Sequence, residues 1–478
     1  MEKQKRLVVV SNRLPIVVGQ QEEAWEIAPG SGGLVTALAP ILKSRNGLWI
    51  GWPGCGEEAP LDELFARFSQ EHNYRLHPVP LTETEVEKYY LGFSNETLWP
   101  LFHDLLGHCH FSQENWLAYD EVNRRFAEGI LQVATEDDLI WVQDYQLALV
   151  GAHLRQMGVR QSLAYFLHIP FPSPDLLRRL PWKIELLRAL LEYDLIGFQT
   201  LRDRRNFTNG VLAFLPGAEV LSRQRHYTLI KWKNRVIKTG HFPISIDFDQ
   251  FDADARSTEV ADAAWYLHEK FQDHQLILGI DRLDYTKGIP ERFLAFERAL
   301  QKYPALHKNL SLLQVVVPSR TLVPEYQTLK EELDGLAGRI NGHFAEPGWT
   351  PIHYQFRSLD RVQLLAYYRT SEMALITPLR DGMNLVAKEY CACSVDHDGV
   401  LILSEFAGAA DQLGKEALLV NPYDIEETAD AIYRAFTMEP EERRRRMHRL
   451  RAQIRRNDVH RWARSFLAEN KIQRAPPL

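Results

Sequence analysis

Cysteine is scarce in this chain. Four in 478 residues cannot brace it with a disulfide framework, and Cys391 and Cys393, two apart, would fall on different faces of a helix. Long apolar runs are missing too: none approaches the ~20 residues needed to span a bilayer. The opening Met1-Glu2-Lys3-Gln4-Lys5-Arg6 runs into a strand without the apolar core and cleavage site of a secretory signal, so the expected compartment is the cytoplasm. No basic excess exists. Lys and Arg total 56 against 63 Asp and Glu, a net charge of −7, whereas a nucleic-acid partner usually requires a basic face. His108-Cys109-His110 looks like a metal-ligand cluster, but no second cluster at zinc spacing accompanies it, so no metal is expected. A GxGxxG fingerprint and a glycosidase-like carboxylate pair are also lacking.

What is present is an α/β rhythm. The length exceeds one ordinary core, so two domains are expected, and 45% hydrophobic with 25% charged residues is a globular composition. Apolar, β-branched runs predict buried strands at Leu7–Val10, Gly47–Trp52, Leu139–Val142, Ser162–Leu167 and Leu195–Phe198. A second series follows at Leu276–Ile280, Leu312–Val317, Met373–Ile376, Val400–Leu403 and Leu418–Val420. Strands alternating with helices imply parallel sheets covered on both faces. The first sheet is expected to end near His241, and the acidic stretch from Asp247 to Asp262 reads as a connection between domains. A polar loop is expected between Arg13 and Gly30, and Tyr89-Tyr90 and Trp99 are read as flanking a short polar loop. The arginine-rich segment from Glu441 to Arg456 reads as a solvated helix, and the tail with Trp462 and Phe466 is expected to pack back on the first domain.

Polar residues gather where these strands end. Ser11-Asn12-Arg13, Gln143-Asp144-Tyr145-Gln146, His168 and Gln199-Thr200 each follow a strand of the first half. A lone His there is ordinarily structural; His168 beside Asp144 at a matching strand end is equally well a site. Gly30-Ser31-Gly32-Gly33 before a helix allows close backbone approach to a diphosphate, or is a surface turn. In the second half, Arg282 and Lys287 lie five apart on one loop and can place two cations around a diphosphate. Asp381-Gly382-Met383-Asn384 turns into a helix beginning at Leu385, with Asn384 as its cap and an N-terminus suited to a phosphate. Glu389, one turn in, can accept bonds from sugar hydroxyls.

Taken together, Arg282–Gly288, Gly338–Gly342, Asp381–Glu389 and Phe166–Pro172 make the chain resemble the trehalose-6-phosphate synthase family, retaining glycosyltransferases of the GT-B type, over nearly its whole length. The resemblance implies two Rossmann-like domains facing a central cleft: an acceptor domain over 1–242, a nucleotide-sugar domain over 243–455, and a C-terminal helix over 456–478 returning to the first. It implies glucose transfer from UDP-glucose to glucose 6-phosphate with neither cofactor nor metal. Gly32 and Gly33 would meet the sugar nucleotide, and Arg282 and Lys287 its diphosphate. Leu385 and Val386, with Ala387 and Lys388 beside them, would approach that diphosphate, Glu389 the ribose and Leu359 the base. Arg13, Tyr90 and Arg320 would hold the acceptor phosphate. Trp99, Asp144 and His168 would line the sugars, and Asp381 would bind the donor glucose. The departure is at Gln143 and Gln146, where the family usually has His, and it bears on the acceptor. Glycerol 3-phosphate as acceptor and a non-catalytic sugar-phosphate sensor are the alternatives. The expected partners are small-molecule substrates, without nucleic acid or membrane, with homo-oligomer formation left open.

Overall fold

The computed structural model describes residues 5–21, 24–30, 33–55, 59–271, 274–319 and 323–470. The chain divides into two compact units, Met1–Ile244 with His460–Leu478, and Ser245–Val459. The first contains strands β1 (Leu7–Arg13), β2 (Ile16–Gln21), β3 (Ala24–Pro29), β4 (Leu48–Trp52), β5 (Arg75–Pro78), β6 (Leu139–Gln143), β7 (Leu163–Phe166), β8 (Leu195–Phe198), β9 (Glu219–Arg223), β10 (Tyr227–Trp232) and β11 (Arg235–His241). Nine of them form one sheet in the order β5-β4-β1-β6-β7-β8-β11-β10-β9, and β2 and β3 pair separately. From β5 to β11 all neighbours are parallel, and β9 and β10 close the edge antiparallel. Strands β4 and β6 are buried at every position, as strands covered on both faces must be.

The chain lays β4 and β5 on one flank of β1, then returns to lay β6, β7 and β8 on the other. The strand order therefore reverses between β1 and β6, and a parallel sheet opens its ligand crevice at the carboxyl ends of such a pair. The second unit repeats the device. Its strands β12 (Gln275–Arg282), β13 (Leu310–Val317), β14 (Ile352–Phe356), β15 (Met373–Ile376), β16 (Val400–Ser404) and β17 (Leu418–Val420) are all parallel, in the order β14-β13-β12-β15-β16-β17. Here the reversal falls between β12 and β15.

Four expectations are corrected. The stretch after Arg13 is a hairpin, Ile16 pairing with Pro29 and Gln21 with Ala24, because Ile16-Val17-Val18 and Trp25-Glu26-Ile27 supply the residues strands favour. The region of Tyr89 to Trp99 is no loop. Helix runs unbroken from Glu83 to Phe102, and Val86–Leu98 is a wide π-helix of 13 residues. Its buried Tyr89, Phe93 and Leu98 anchor it. The acidic connection forms two helices, Phe248–Ala255 and Thr258–Lys270, capped by Asp247 and Ser257. Its acids serve caps and exposed faces while Phe248 and Phe251 are buried.

The arginine-rich helix, Pro440–Arg456, is not simply solvated, since Arg443 and Arg451 are buried. Arg443 donates to the Ala435 and Phe436 carbonyls at 3.0 and 2.9 Å, closing the end of helix Ile425–Phe436. Arg451 donates to the carbonyls of Cys391, at 3.0 Å, and Ala392, closing the end of helix Leu385–Cys393. Cations at carbonyl-rich helix ends oppose the negative end of the helix dipole.

The last helix, Val459–Glu469, lays Trp462 and Phe466 on the first unit. Phe466 stacks on Trp141 at 4.4 Å and meets Phe242 at 5.1 Å. Gly197 makes the room: a Cβ there would lie 2.5 Å from the Phe166 ring and 2.6 Å from Phe466. Among the described residues no helix is long and apolar enough to cross a membrane.

Candidate active site

In the second unit, β12 delivers Arg282 to its carboxyl end, exposed, and the chain then turns tightly. Asp284 holds the turn, its Oδ1 accepting from the Thr286 amide at 3.0 Å and the Thr286 hydroxyl at 2.8 Å. Gly288 ends it at φ 61°, where a Cβ would lie 2.2 Å from the Thr377 carbonyl oxygen. Only glycine lets the loop after β12 lie this close to the chain leaving β15. Leu379 N–H also donates to the Thr286 carbonyl at 2.8 Å.

That contact brings Lys287 to Asp381, Nζ to Oδ2 at 2.6 Å, with both side chains largely buried. Burial works to lower the Lys287 pKa, but the charges of Asp381 and Asp284 prevail and leave it raised. The ammonium is therefore a fixed cation at neutral pH. Asp381 is held in turn. Its Oδ1 accepts from the Met383 amide at 3.3 Å, and its Oδ2 from Asn384 Nδ2 at 3.2 Å.

Asn384, at φ 77°, caps helix Leu385–Cys393 by accepting from the Ala387 amide at 3.1 Å. With that amide satisfied, the N–H groups of Leu385 and Val386 are the open donors of the first turn. Glu389 is half-buried and accepts from the Tyr368 hydroxyl at 2.8 Å; burial raises its pKa, against the pull of that bond. Lys388 is 1% exposed and donates to Gln412 Oε1 at 2.7 Å, so its side chain is engaged away from the helix start. Burial lowers its ammonium to about 7. Leu359 is half-buried just before Asp360, the cap of helix Arg361–Thr370.

In the first unit, β1 ends in Ser11-Asn12-Arg13. Ser11 Oγ accepts from Trp49 Nε1 at 2.7 Å, and Asn12 Oδ1 from the Tyr89 hydroxyl at 2.9 Å. The Arg13 guanidinium lies 4.5 Å over the Trp52 ring, which presents it at the strand end. Tyr90 lies on the π-helix beside Tyr89, and its carbonyl accepts from Asn95 at 2.7 Å. The Trp99 ring is buried against His103, at 4.2 Å, and Tyr145, at 5.7 Å.

Asp144 follows β6 in a conformation that only glycine adopts easily, φ 70° and ψ 172°. Several bonds enforce it. Its amide donates to the Phe166 carbonyl at 2.7 Å, its carbonyl accepts from the Tyr165 hydroxyl at 3.0 Å, and its Oδ1 accepts from the His168 amide at 3.0 Å. Strain of this kind collects where function fixes a side chain. Asp144→Gly is therefore expected to be more stable than Asp144→Ala by about 1–2 kcal/mol in urea unfolding, the reverse of the order in an ordinary strand end.

His168 is bracketed by two glutamines. Gln199 Oε1 accepts from the Ile244 amide at 2.9 Å, which turns its Nε2 toward His168 Nδ1 at 3.4 Å. Nδ1 therefore accepts, Nε2 carries the proton, and Gln143 Oε1 receives it at 2.9 Å. Burial depresses the His168 pKa to about 3. The ring is thus neutral at physiological pH with its tautomer set. The unfolded chain binds a proton at this His below about pH 6.5, and the folded chain does not until about 3. The folded state is thus disfavoured as pH falls through that window. Urea midpoints at pH 7.5 and 5 should differ less in His168→Gln than in the parent.

The structure thus gathers Arg282, Lys287, Asp381 and the Leu385 helix start at one strand-order reversal, and Arg13, Asp144 and His168 at the other. Gly33 begins helix Gly33–Ser44. Gly32 and Arg320 lie outside the described residues. Sequence reasoning missed Gln199 as a partner of His168, although its place at the end of β8 matches that of Asp144 after β6. It also missed Asp284 and Gly288, whose x-D-x-x-K-G spacing is a turn signal. Among the described residues no group of three or more His, Cys, Asp or Glu side chains is placed to hold a metal ion.

Residues 5–472 match the family model for Glycosyltransferase family 20. The trehalose-6-phosphate synthase of Mycolicibacterium vanbaalenii is 43% identical over 467 residues, covering 96% of this chain and 94% of its own length. A Burkholderia xenovorans α,α-trehalose-phosphate synthase (UDP-forming), solved in complex with glucose-6-phosphate, superposes with a TM-score of 0.87 at 35% identity, covering 98% of this chain and 100% of that one. A structure from E. coli bound with UDP-2-fluoro glucose gives 0.88 at 37% identity, covering 98% and 99%.

Proposed function

The chain belongs to glycosyltransferase family 20, and on that premise we propose that it is a retaining glucosyltransferase that moves glucose from UDP-glucose to glucose 6-phosphate, yielding α,α-trehalose 6-phosphate and UDP. The observation that supports this best is the Lys287–Asp381 pair at 2.6 Å beside the Leu385 helix start. One cation, one carboxylate and open amides meet where a sugar diphosphate can place its leaving oxygens and its glucose hydroxyls.

The roles follow from charge. As the bond from glucose C1 to the diphosphate oxygen breaks, negative charge grows on that oxygen. Arg282, Lys287 and the amides of Leu385 and Val386 stabilise it where it develops. Ala387 and Lys388 continue the same turn through their main chain. Asp381 accepts a glucose hydroxyl, Glu389 the ribose hydroxyls, and Leu359 offers main chain to the base. Arg13 and Tyr90, with Arg320, hold the acceptor phosphate. Trp99 packs on a sugar face, Asp144 accepts an acceptor hydroxyl, and neutral His168 lines the sugars. The acceptor oxygen bonds to C1 on the face the diphosphate leaves, and its proton passes to the departing phosphate oxygen, so configuration is retained without a protein nucleophile. Gly32 and Gly33 meet the donor through main chain.

This assignment includes no metal and no cofactor, because side-chain cations take the charge a metal would take. Phosphorylated substrates support a cytoplasmic location, with small molecules, and neither nucleic acid nor membrane, as the partners. Incubating the purified protein with UDP-glucose and glucose 6-phosphate should release UDP and form an α,α-1,1-linked phosphodisaccharide visible by NMR. Glycerol 3-phosphate, run in parallel, tests the acceptor side that Gln143 and Gln146 alter. Release of UDP with that acceptor but not with glucose 6-phosphate would overturn the assignment.

A further inference from the structure

At the edge of the first unit lies a basic cluster that the transfer reaction does not use. Helix Leu201–Phe214 brings Arg204 and Arg205 in its first turns, the β9–β10 turn brings Arg225 and His226, and β11 ends in His241. Arg204 is 5% exposed and gives Nη1 and Nη2 to the carbonyls of Arg225 and Gln224, each at 3.3 Å. Those bonds dock the turn so that His226 stacks on His241, ring centres 6.1 Å apart.

Among the described residues none of the three arginines makes an ion pair with a carboxylate. Asp203, next to Arg204, is turned inward, accepting from the Thr200 hydroxyl at 2.5 Å and the Phe171 amide at 3.1 Å. Among the described residues, two buried nitrogens, Arg204 Nε and His241 Nδ1, find no hydrogen-bond partner. Burial comes first in pushing His241 down to about 4, and the charges of Arg204, His226, Arg205 and Arg225 all add to it. Burial, then Arg205, lowers Arg204 as well. Folding has brought like charges together and left a buried guanidinium N–H without an acceptor, a combination that costs stability unless an anion binds there. Three guanidinium groups with two imidazoles match the oxygens of a phosphate.

We propose that Arg204, Arg205, Arg225, His226 and His241 form a second phosphate-binding site, separate from the acceptor-phosphate residues around Arg13. Its ligand is a phosphate group, as the free anion or as a phosphomonoester. The site stands on this local geometry and not on the reaction assigned above.

Calorimetric titration of the full-length Arg13→Gln protein with inorganic phosphate, in chloride buffer of fixed ionic strength, tests this. Binding is expected, and adding Arg205→Gln and Arg225→Gln, both exposed positions, should weaken it by about tenfold or more. In protein labelled at histidine, phosphate should raise the His241 pKa, since an anion reverses the local field. If the combined variant unfolds, Arg225→Gln alone serves. Glucose 6-phosphate titrated into the phosphate-saturated protein assigns the source: competition marks a phosphomonoester site, and no competition marks the free anion. An isotherm unchanged by the arginine substitutions, or a His241 pKa that phosphate does not move, would overturn the proposal. Failure of the transferase assay would leave it intact.

Discussion

Replacing Arg282 by alanine should lower kcat and kcat/KM together by about 10²–10³-fold, because a cation that meets charge only as the diphosphate leaves acts mainly in the transition state. The fold should survive. Arg282 is exposed at the last position of β12, and its main chain, not its side chain, carries the ladder to Val317. Lys287→Ala is the instructive contrast. It should cut turnover at least as far, but it also strands Asp381 beside Asp284 in a largely buried loop, so its unfolding midpoint should fall as well. Steady-state kinetics and urea unfolding of the two variants separate chemistry from folding. Arg282→Ala with parental kinetics would remove it from the mechanism.

The periodic parts of the molecule were legible because burial on both faces leaves no choice of residue. Val8, Val9, Ile140, Ile277 and Leu375 can only be core strand. Polar residues immediately after such strands can then be read as ligand-facing, which is what singles out Asp144, His168, Arg282 and Asp381 as candidates. The parts not legible depend on contacts distant in sequence. In the antiparallel β9–β10 edge burial alternates but residue type does not follow it, with Thr228 buried and Leu229 half-exposed, so the sequence lacks the apolar–polar alternation that marks a strand. The π-helix is set by packing of Tyr89 and Phe93 on Tyr119, 5.8 and 4.6 Å away. The burial of the Lys388 side chain depends on Gln412, 24 residues on, which no local pattern announces. The glutamine bracket around His168 unites three strand ends, so no local pattern announces it.

Arg292→Ala is expected to produce the largest loss of stability, about 3–5 kcal/mol, because it breaks a buried ion pair from one side. Arg292 is fully buried under the donor-side loop. Nη1 donates to Asp281 Oδ2 at 2.6 Å and Gln314 Oε1 at 2.9 Å, and Nε to Thr377 Oγ1 at 3.1 Å. One guanidinium thus ties the ends of β12 and β15, across the strand-order reversal, to the middle of β13. Burial pushes the Asp281 carboxyl up further than Arg292 pulls it down, so without the arginine that group has no good state, charged or neutral. Gly279 leaves the space, since a Cβ there would sit 2.3 Å from Gln314 Oε1 and 2.6 Å from Arg292 Nη1. Substituting both partners with apolar residues, Arg292→Met with Asp281→Leu, should restore much of the stability, as losing a whole buried pair costs less than losing half. Turnover should not recover with it, because Thr377, whose hydroxyl also donates to the Gly288 carbonyl at the end of the loop carrying Lys287 to Asp381, would have lost the Arg292 Nε bond that orients it. A double variant as unstable as Arg292→Ala in urea, or one that regains parental turnover, would mean that the cluster does not brace the site.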